Sequence, residues 1–166
     1  MSDSVQLIHQ WVSEEGLAEI DRWVAKYPAD QKQSAVMSAL MVVQEAAGFL
    51  TQASMDAVAE YLEMPAIAVY EVASFYSMYE NKPVGRHLIS VCTNISCKLR
   101  DSAAIVTALE QKLGVSLGAT TGDGRFTLRA VECLGACVNA PMMQVNKTYH
   151  ENLTVETLDA VLDQYQ

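Results

Sequence analysis

The stretch CLGACVNAPMMQVN, residues 133–146, decides the fold because it links two predicted strands and carries two of the four cysteines of the chain. Before it, RFTLRAVE alternates apolar and polar residues as a half-buried strand does, and MMQVN at its end is predicted to form the next strand. Cys133 and Cys137 enclose Gly135, which has no Cβ and therefore lets the backbone approach a sulfur atom closely. The stretch predicts a loop that presents two thiols at the carboxyl end of a strand.

A second cysteine pair lies upstream in VCTNISCKLR, residues 91–100, which contains Cys92 and Cys97. Cys92 closes the predicted buried strand RHLISVC, just as the other pair follows a strand. Loops at the carboxyl ends of strands are where ligands bind in α/β sheets. Two such loops on one edge are expected to bring four thiols around a single site.

The segments around the two pairs predict an α/β domain over residues 83–166. RHLISVC is followed by an amphipathic helix in SAAIVTALEQKLG with Gly114 as its cap; its inward-facing residues are Ile105, Leu109 and Leu113. After a turn-rich loop come RFTLRAVE, MMQVN, a short polar strand or turn in YHENLT, and a final helix in TVETLDAVLDQY with Thr154 as N-cap. The order βαβββα suits a thioredoxin-like layer with a mixed sheet.

The first half of the chain predicts helices. Apolar residues recur at helical spacing in SEEGLAEIDRWVAKYP, with Ser13 as N-cap, and in SAVMSALMVVQEAAG, with Gly48 as C-cap. A third helix is expected over residues 52–63, and a fourth from Pro65, because proline favours the first helical position.

The character of the sequence changes at NKPVGRH, where Pro83 and Gly85 stop the helical pattern. We therefore predict an α+β chain in two parts. An N-terminal helical bundle occupies residues 1–82, and the thioredoxin-like α/β domain with a mixed sheet occupies residues 83–166.

Composition restricts the function of the chain. Half of its 166 residues are apolar, which suffices for a core without disulfides, and the formal net charge is −9. This acidic balance argues against nucleic acid and anionic membrane surfaces, since both attract Lys and Arg. No apolar run approaches the roughly 20 residues of a membrane span, and the N-terminus lacks a secretory pattern. The chain is expected in the cytosol, where paired cysteines more often bind metal or do redox chemistry than form disulfides.

The spacing of the four cysteines admits several interpretations. Buried cysteines acting as small hydrophobes fit poorly with paired positions at strand ends, and disulfides fit poorly with a reducing compartment. A thioredoxin-type dithiol requires a Cys-x-x-Cys motif, which neither pair has. A tetrahedral Cys₄ zinc site fits partly, because zinc knuckles usually have tighter spacing. An all-cysteine [2Fe–2S] cluster is wider than a single ion, and these spacings suit it.

Two common kinds of [2Fe–2S] centre do not match the sequence. In a plant-type ferredoxin a third cysteine would stand at the position of Arg100, and a Rieske centre would need histidines in the cysteine loops. The zinc site and a different all-cysteine cluster therefore stay open on spacing alone.

The order of several motifs resembles a known family. EVASFYSMY, KPVGRH, VCTNISCKLR, GDGRFTL and CLGACVNAPMMQVN follow one another as in the thioredoxin-like [2Fe–2S] ferredoxins. More closely, the chain is similar to the 24-kDa (E) subunits of respiratory complex I, NADH:quinone oxidoreductase, and the resemblance covers nearly its whole length. The resemblance implies that one [2Fe–2S] cluster is held by four ligands: Cys92, Cys97, Cys133 and Cys137.

The same resemblance implies a function and a partner. Such a chain transfers single electrons as a subunit of an NADH dehydrogenase and carries no complete active site of its own. Its partner is the flavin-bearing F subunit, which binds NADH and FMN, within the larger peripheral arm. The implied location is the bacterial cytoplasm, peripheral to the inner membrane on its cytoplasmic face through the complex. Two alternatives stay open: the small diaphorase subunit of an NAD-linked hydrogenase or formate dehydrogenase, and a zinc-stapled interaction module.

Other motifs predict ordinary structural roles. GDGRFT is typical of a tight turn and not of a dinucleotide site, because it lacks the third glycine and the following helix. Asp123 and Arg125 are candidates for a loop salt bridge of little energetic weight. The aromatic residues 75–79 fit either core packing between the helical bundle and the α/β layer or a patch that faces a partner. Three histidines do not cluster in the sequence and are expected to be surface or strand residues: His9, His87 and His150.

Overall fold

The computed structural model describes residues 7–166 and shows helices followed by a mixed sheet. The chain divides into two compact units, one ending at Pro83 and the other running Val84–Gln166. This architecture confirms the predicted α+β class, while residues 1–6 of the predicted bundle lie outside the described residues. Within residues 7–166, no helix combines the length and the apolar character needed to cross a membrane.

The first unit is helical. Its helix α1 begins after the predicted N-cap Ser13, whose hydroxyl accepts a hydrogen bond of 3.3 Å from the N–H of Gly16. The third helix begins with a reciprocal capping box between Thr51 and Ser54. From residue 13 onward the α-helices of this unit are α1 (Glu14–Val24), α2 (Val36–Ala47), α3 (Gln52–Tyr61) and α4 (Ala66–Phe75). Their apolar faces meet in a core that includes Ile20, Leu40, Val43, Val58 and Val69.

Two helix limits differ from the prediction. Helix α3 ends at Tyr61, before the predicted Glu63, because Glu63 has a φ of 56° and a right-handed helix does not continue through a left-handed residue. Pro65 is the extended N-cap of α4, and Ala66 is its first helical residue. The proline is therefore the N-cap, one position before the first helical position that the sequence predicts for it.

The second unit contains a four-stranded mixed sheet, in agreement with the predicted fold. In chain order its elements are β1 (His87–Cys92), α5 (Ile95–Leu99), α6 (Ser102–Leu113), β2 (Phe126–Val131), β3 (Met143–Val145), β4 (Thr148–His150) and α7 (Leu158–Leu162). The strand order is β2-β1-β3-β4, with β1 parallel to β2 and the remaining pairs antiparallel. The core of this unit includes Ile89, Val91, Leu109, Leu128, Met143 and Leu158.

Sequence periodicity misses helix α5, because five residues make little more than one turn. The side-chain oxygen of Asn94 starts this helix by accepting a hydrogen bond of 2.8 Å from the N–H of Ile95. The predicted final helix is shorter than expected, since a 3₁₀ turn at Val155–Thr157 precedes α7. The observed order of elements is therefore βααβββα.

Gly85 has a steric role in addition to stopping the helical pattern. A Cβ at this position would lie 2.8 Å from the carbonyl carbon of Phe126, too close for any side chain. The N–H of Gly85 also donates a hydrogen bond of 2.7 Å to Oγ1 of Thr127. The chain thus enters β1 with its backbone against the start of β2, which requires glycine.

The side chain of Arg125 holds the C-terminal segment and does not pair with Asp123 as predicted. Its Nε donates to the carbonyl oxygen of Tyr165 at 2.7 Å, and its Nη2 donates to that of Leu162 at 3.3 Å. Asp123 instead accepts hydrogen bonds from the Thr121 hydroxyl and the Arg125 N–H, and these bonds lower its pKa. The carboxylate therefore shapes the turn, and the guanidinium closes the end of α7.

Replacing Arg125 with methionine is expected to lower the free energy of unfolding by roughly 1–3 kcal/mol, because hydrogen bonds from charged donors contribute about 1.5–3 kcal/mol each. Urea unfolding followed by circular dichroism measures the change. Arg86→Met removes the same charge from an exposed side chain and should change stability by less than about 0.5 kcal/mol. Equal losses in the two variants would contradict the role assigned to Arg125.

The two strand histidines contact the C-terminal segment as well. Nε2 of His150 lies 2.7 Å from the hydroxyl oxygen of Tyr165, and the ring centroid of His87 lies 5.3 Å from that of Tyr165. Burial lowers the pKa of His150. These contacts bring β1, β4 and the end of the chain together around one tyrosine.

The aromatic residues 75–79, which begin at the last residue of α4, differ in their exposure. Tyr79 is 5% exposed and donates a hydrogen bond of 2.9 Å to the carbonyl oxygen of Met37. Phe75 is 81% exposed, and Tyr76 and Met78 are also exposed. Tyr79 therefore packs in the core of the first unit, whereas Phe75 lies on the surface.

Candidate metal centre

The carboxyl ends of the parallel strands β1 and β2 place the four cysteines at one edge of the sheet. Cys92 is the last residue of β1 and pairs in register with Val131, the last residue of β2. Cys133 follows β2 by two positions. Cys97 lies in α5 after β1, and Cys137 begins a 3₁₀ turn. The structure therefore brings the four cysteines named from the sequence onto two neighbouring loops.

The four thiols form two pairs that differ in exposure. Cys92 and Cys97 are 2% and 1% exposed and share a hydrogen bond. Cys133 and Cys137 are exposed, and their Sγ atoms lie 3.5 Å apart. Among the side chains of residues 7–166, no group of three or more Cys, His, Asp and Glu is placed to hold a single metal ion. The buried pair belongs to a small cluster of Cys92, Cys97, Ala140 and Met142.

The thiols of the two pairs also affect one another electrostatically. Burial raises the pKa of Cys97 to about 11, with further increases from Cys92 and a smaller one from Cys137. The hydrogen bond with Cys133 and the charge of Cys133 raise the pKa of Cys137, to which Cys92 adds a smaller effect. The two pairs therefore lie in the same region of the sheet edge and influence each other's charge. Four thiolates there repel one another unless a cation compensates their charge, and a bound metal supplies that compensation.

Hydrogen-bond donors from both cysteine loops and from the start of β3 point at the sulfur atoms. The N–H of Gly135 donates to Sγ of Cys133 at 3.3 Å. The hydroxyl of Ser96 donates to Cys137, and the backbone N–H of Met142 donates to Cys97; both bonds favour the thiolates. Sequence reasoning missed Ser96 and Met142, although Ser96 stands inside a cysteine loop, where a hydroxyl is a natural donor to sulfur. This set of thiols and donors fits a thiolate-bound metal group.

The reason for glycine at position 135 differs from the predicted one. Gly135 has a φ of 85°, and an added Cβ would meet no atom within 4 Å. Space for a close backbone approach is therefore not what requires glycine here. Glycine is required by the left-handed backbone conformation at this position, because that conformation costs other residues roughly 1–2 kcal/mol. This conformation turns the loop so that the N–H of Gly135 faces the sulfur of Cys133.

Exposed apolar side chains lie in both cysteine loops. Ile95 and Leu99 are 63% and 78% exposed, and their spacing places them on one face of α5. Val138 follows Cys137 directly and is 91% exposed. The hydrogen bond between Ser96 and Cys137 joins the two loops. We call the three side chains the apolar rim: Ile95, Leu99 and Val138.

A mixed sheet that presents two thiol pairs and sulfur-directed donors at one edge is a thioredoxin-like fold whose edge suits a thiolate-bound metal group. The chain belongs to the thioredoxin-like [2Fe–2S] ferredoxin family, whose family model matches residues 20–166. The resemblance inferred from the sequence motifs is thereby confirmed. The [2Fe–2S] cluster is the cofactor for which this family is named.

Curated relatives belong to one kind of oxidoreductase. The chain is 45% identical over 148 residues to the NADH-quinone oxidoreductase E subunit numbered 2 of Rhizobium meliloti, covering 89% of this chain and 87% of that protein. It is 46% identical over 143 residues to the NADH-quinone oxidoreductase E subunit of Rickettsia felis, covering 86% of each. NADH dehydrogenase (ubiquinone) flavoprotein 2, mitochondrial, of Dictyostelium discoideum is 40% identical over 92% of this chain and 62% of that protein. These relatives confirm the predicted resemblance to E subunits.

A solved structure shares the fold at much lower identity. The NAD⁺-reducing [NiFe]-hydrogenase in the H₂-reduced state superposes with a TM-score of 0.67 and 21% identity. The match covers 76% of this chain and 22% of the hydrogenase chain. The likeness is one of fold.

Proposed function

We propose that this chain is the electron-transfer subunit of an NADH:quinone oxidoreductase and holds one [2Fe–2S] cluster with all-cysteine ligation. The observation that carries the proposal is the meeting of two thiol pairs at the edge formed by β1 and β2. Two irons that take two thiolates each match two pairs better than one tetrahedral ion does. The proposed ligands are Cys92, Cys97, Cys133 and Cys137.

The surroundings of the thiols support this role. A bound [2Fe–2S] cluster would supply the exchange of one electron at a time. The donors Gly135, Ser96 and Met142 compensate the negative charge of the sulfurs, which burial alone would make unfavourable. The cluster of Ala140 and Met142 around the inner pair excludes water from that half of the site. The exposed outer pair gives a redox partner access from the other half.

The proposed partner is the flavin-bearing F subunit, with NADH and FMN bound on that subunit and not on this chain. The names of the relatives, NADH-quinone oxidoreductase subunits and a flavoprotein, support the choice. The apolar rim next to the exposed thiols offers a contact surface for such a partner. Through this complex the chain would lie at the cytoplasmic face of the bacterial inner membrane.

Anaerobic purification of the full chain tests the cofactor. We expect a brown protein with about two irons and two acid-labile sulfides per chain, since this is the composition of the cluster, and bleaching by dithionite. Colourless protein that contains zinc would overturn the proposal in favour of an interaction module.

Affinity purification from the native host tests the partner: a flavoprotein that oxidises NADH should co-purify. Recovery with hydrogenase or formate dehydrogenase subunits would assign the chain to a diaphorase instead.

Replacing Ser96 with alanine is expected to make the reduction potential of the cluster more negative. The hydroxyl that donates to Cys137 favours the more negatively charged, reduced state, so its loss should shift the potential on the order of tens of millivolts. Redox titration followed by absorbance measures the shift. Ser74→Ala removes a hydroxyl that bonds the carbonyl of Glu71 and serves as the control. A potential unchanged in Ser96→Ala would remove this hydroxyl from the tuning of the cluster.

A further inference from the structure

We propose that Cys133 and Cys137 form a reversible intramolecular disulfide when the cluster-free chain meets a low-molecular-weight disulfide, and that this modification delays cluster insertion. The disulfide follows from the geometry of the thiols alone. Its effect on insertion rests on the function proposed above.

The geometry of the outer pair favours a short disulfide loop. The Sγ atoms lie 3.5 Å apart, and a disulfide bond of about 2.05 Å needs only side-chain rotation and a small backbone adjustment from there. The φ of 85° at Gly135 turns the loop so that the two cysteines face each other. Few residues separate the cysteines, so closing this loop restricts little additional chain.

Accessibility makes the reaction selective for this pair. Cys133 and Cys137 are exposed, so a small oxidant reaches both sulfurs. Cys92 and Cys97 are 2% and 1% exposed, although they too share a hydrogen bond. A molecule as large as a disulfide reagent cannot reach the inner pair while the second unit stays folded.

The reaction balances with a low-molecular-weight disulfide, such as oxidised glutathione, as the oxidant. One thiolate of the outer pair attacks the reagent, forms a mixed disulfide and releases one small thiol. The second cysteine then attacks the protein sulfur of that mixed disulfide and releases the other small thiol. Two protein thiols are oxidised, one small disulfide is reduced to two thiols, and a dithiol reductant reverses the change.

The disulfide would remove two of the four proposed cluster ligands. A disulfide sulfur carries no thiolate charge and does not bind iron as a thiolate does. Closure of the outer pair therefore leaves the inner pair alone at the sheet edge. Cluster insertion would then require prior reduction of Cys133 and Cys137.

Peptide mass mapping of the full chain tests the modification. Protein stripped of iron with a chelator under reducing conditions is freed of reductant, incubated with oxidised glutathione, and alkylated. Cleavage after Lys and Arg leaves the outer pair on residues 130–147 and the inner pair on residues 87–98. We expect the peptide 130–147 unalkylated and lighter by the hydrogens of both thiols. Because the protein is unfolded for alkylation, the reagent reaches the buried thiols, and the peptide 87–98 should carry an alkyl group on each cysteine.

Other peptide patterns would overturn the inference. A closed inner pair, a link between the two peptides, stable glutathione adducts, or full alkylation of all cysteines each contradicts selective closure. The double variant Cys92→Ser/Cys97→Ser should still close the outer pair. In the Cys133→Ser protein no intramolecular disulfide can form on peptide 130–147, so Cys137 should be recovered either alkylated or as a glutathione adduct. The wild-type map locates the bond even where a variant folds poorly.

Insertion of the cluster is measured separately. Oxidised protein and an aliquot reduced beforehand with dithiothreitol are supplied with iron and sulfide, and the visible absorbance is followed. We expect a delay only in the oxidised sample, and equal rates would overturn the effect on insertion. A reduced sample that builds no cluster would count against the proposed function, and the peptide masses would still decide the disulfide.

Discussion

Cys97→Ser is expected to abolish the visible spectrum of the purified protein and to bring its iron content close to zero. Cys97 is 1% exposed and lies with Cys92 in the enclosed half of the site. A serine hydroxyl is a harder, less acidic ligand that suits iron–sulfur chemistry poorly. The packed surroundings give the shorter side chain little freedom to adjust. Cys133→Ser lies on an exposed loop and should alter the spectrum with a smaller loss of iron.

The control for Cys97→Ser is a change in the same pocket that spares the ligands. Met142→Leu conserves volume and retains the backbone N–H that donates to Cys97, so its iron content should match the wild type. Circular dichroism checks that each variant is folded. A folded Cys97→Ser protein with full iron and an unchanged spectrum would exclude Cys97 from the ligand set.

The double variant Leu99→Asp/Val138→Asp is expected to weaken association with the flavin-bearing partner by at least about 100-fold, or roughly 2.7 kcal/mol. Both side chains are largely exposed apolar groups beside the outer thiols, where docking would bury them. Each aspartate would have to lose its hydration in such an interface without a designed counter-charge. Co-purification with the partner and titration of the two proteins measure the loss.

The control for the rim places the same charges elsewhere in the second unit. Leu117→Asp/Val155→Asp changes two exposed apolar residues outside the cysteine loops and should leave association within about twofold. Both double variants should keep the visible spectrum of the cluster. If the rim variant associates as tightly as the wild type, the partner docks on another surface.

Much of this fold could be predicted from the sequence because its signals are local. The alternation in RFTLRAVE and the helical spacing around Leu40 and Leu109 correspond to β2, α2 and α6. The location of the cysteines followed from the same signals, because parallel neighbours end at a common edge. The four cysteines could thus be placed before their surroundings were known.

The features that escaped prediction depend on tertiary contacts. The five-residue helix α5 offers no period to detect, and the donation from Met142 to Cys97 joins residues far apart in the chain. Arg125 donates a hydrogen bond to the carbonyl oxygen of Tyr165, a partner that no local sequence pattern identifies. The sequence predicts a local role for Gly85 in stopping a helix, whereas the close backbone of Phe126 is what requires glycine there.

The register between β1 and β2 links the site to folding thermodynamics. The loops of Cys92 and Cys133 meet only because these strands pair in parallel, with α6 and a long loop between them in the chain. An unfolded chain therefore holds no assembled site, and whatever binds the native edge stabilises the sheet by mass action. Cofactor occupancy and sheet stability form one coupled equilibrium. A mutation such as Leu109→Ala, in the buried face of α6 and outside both cysteine loops, should lower cofactor retention in proportion to the stability it removes.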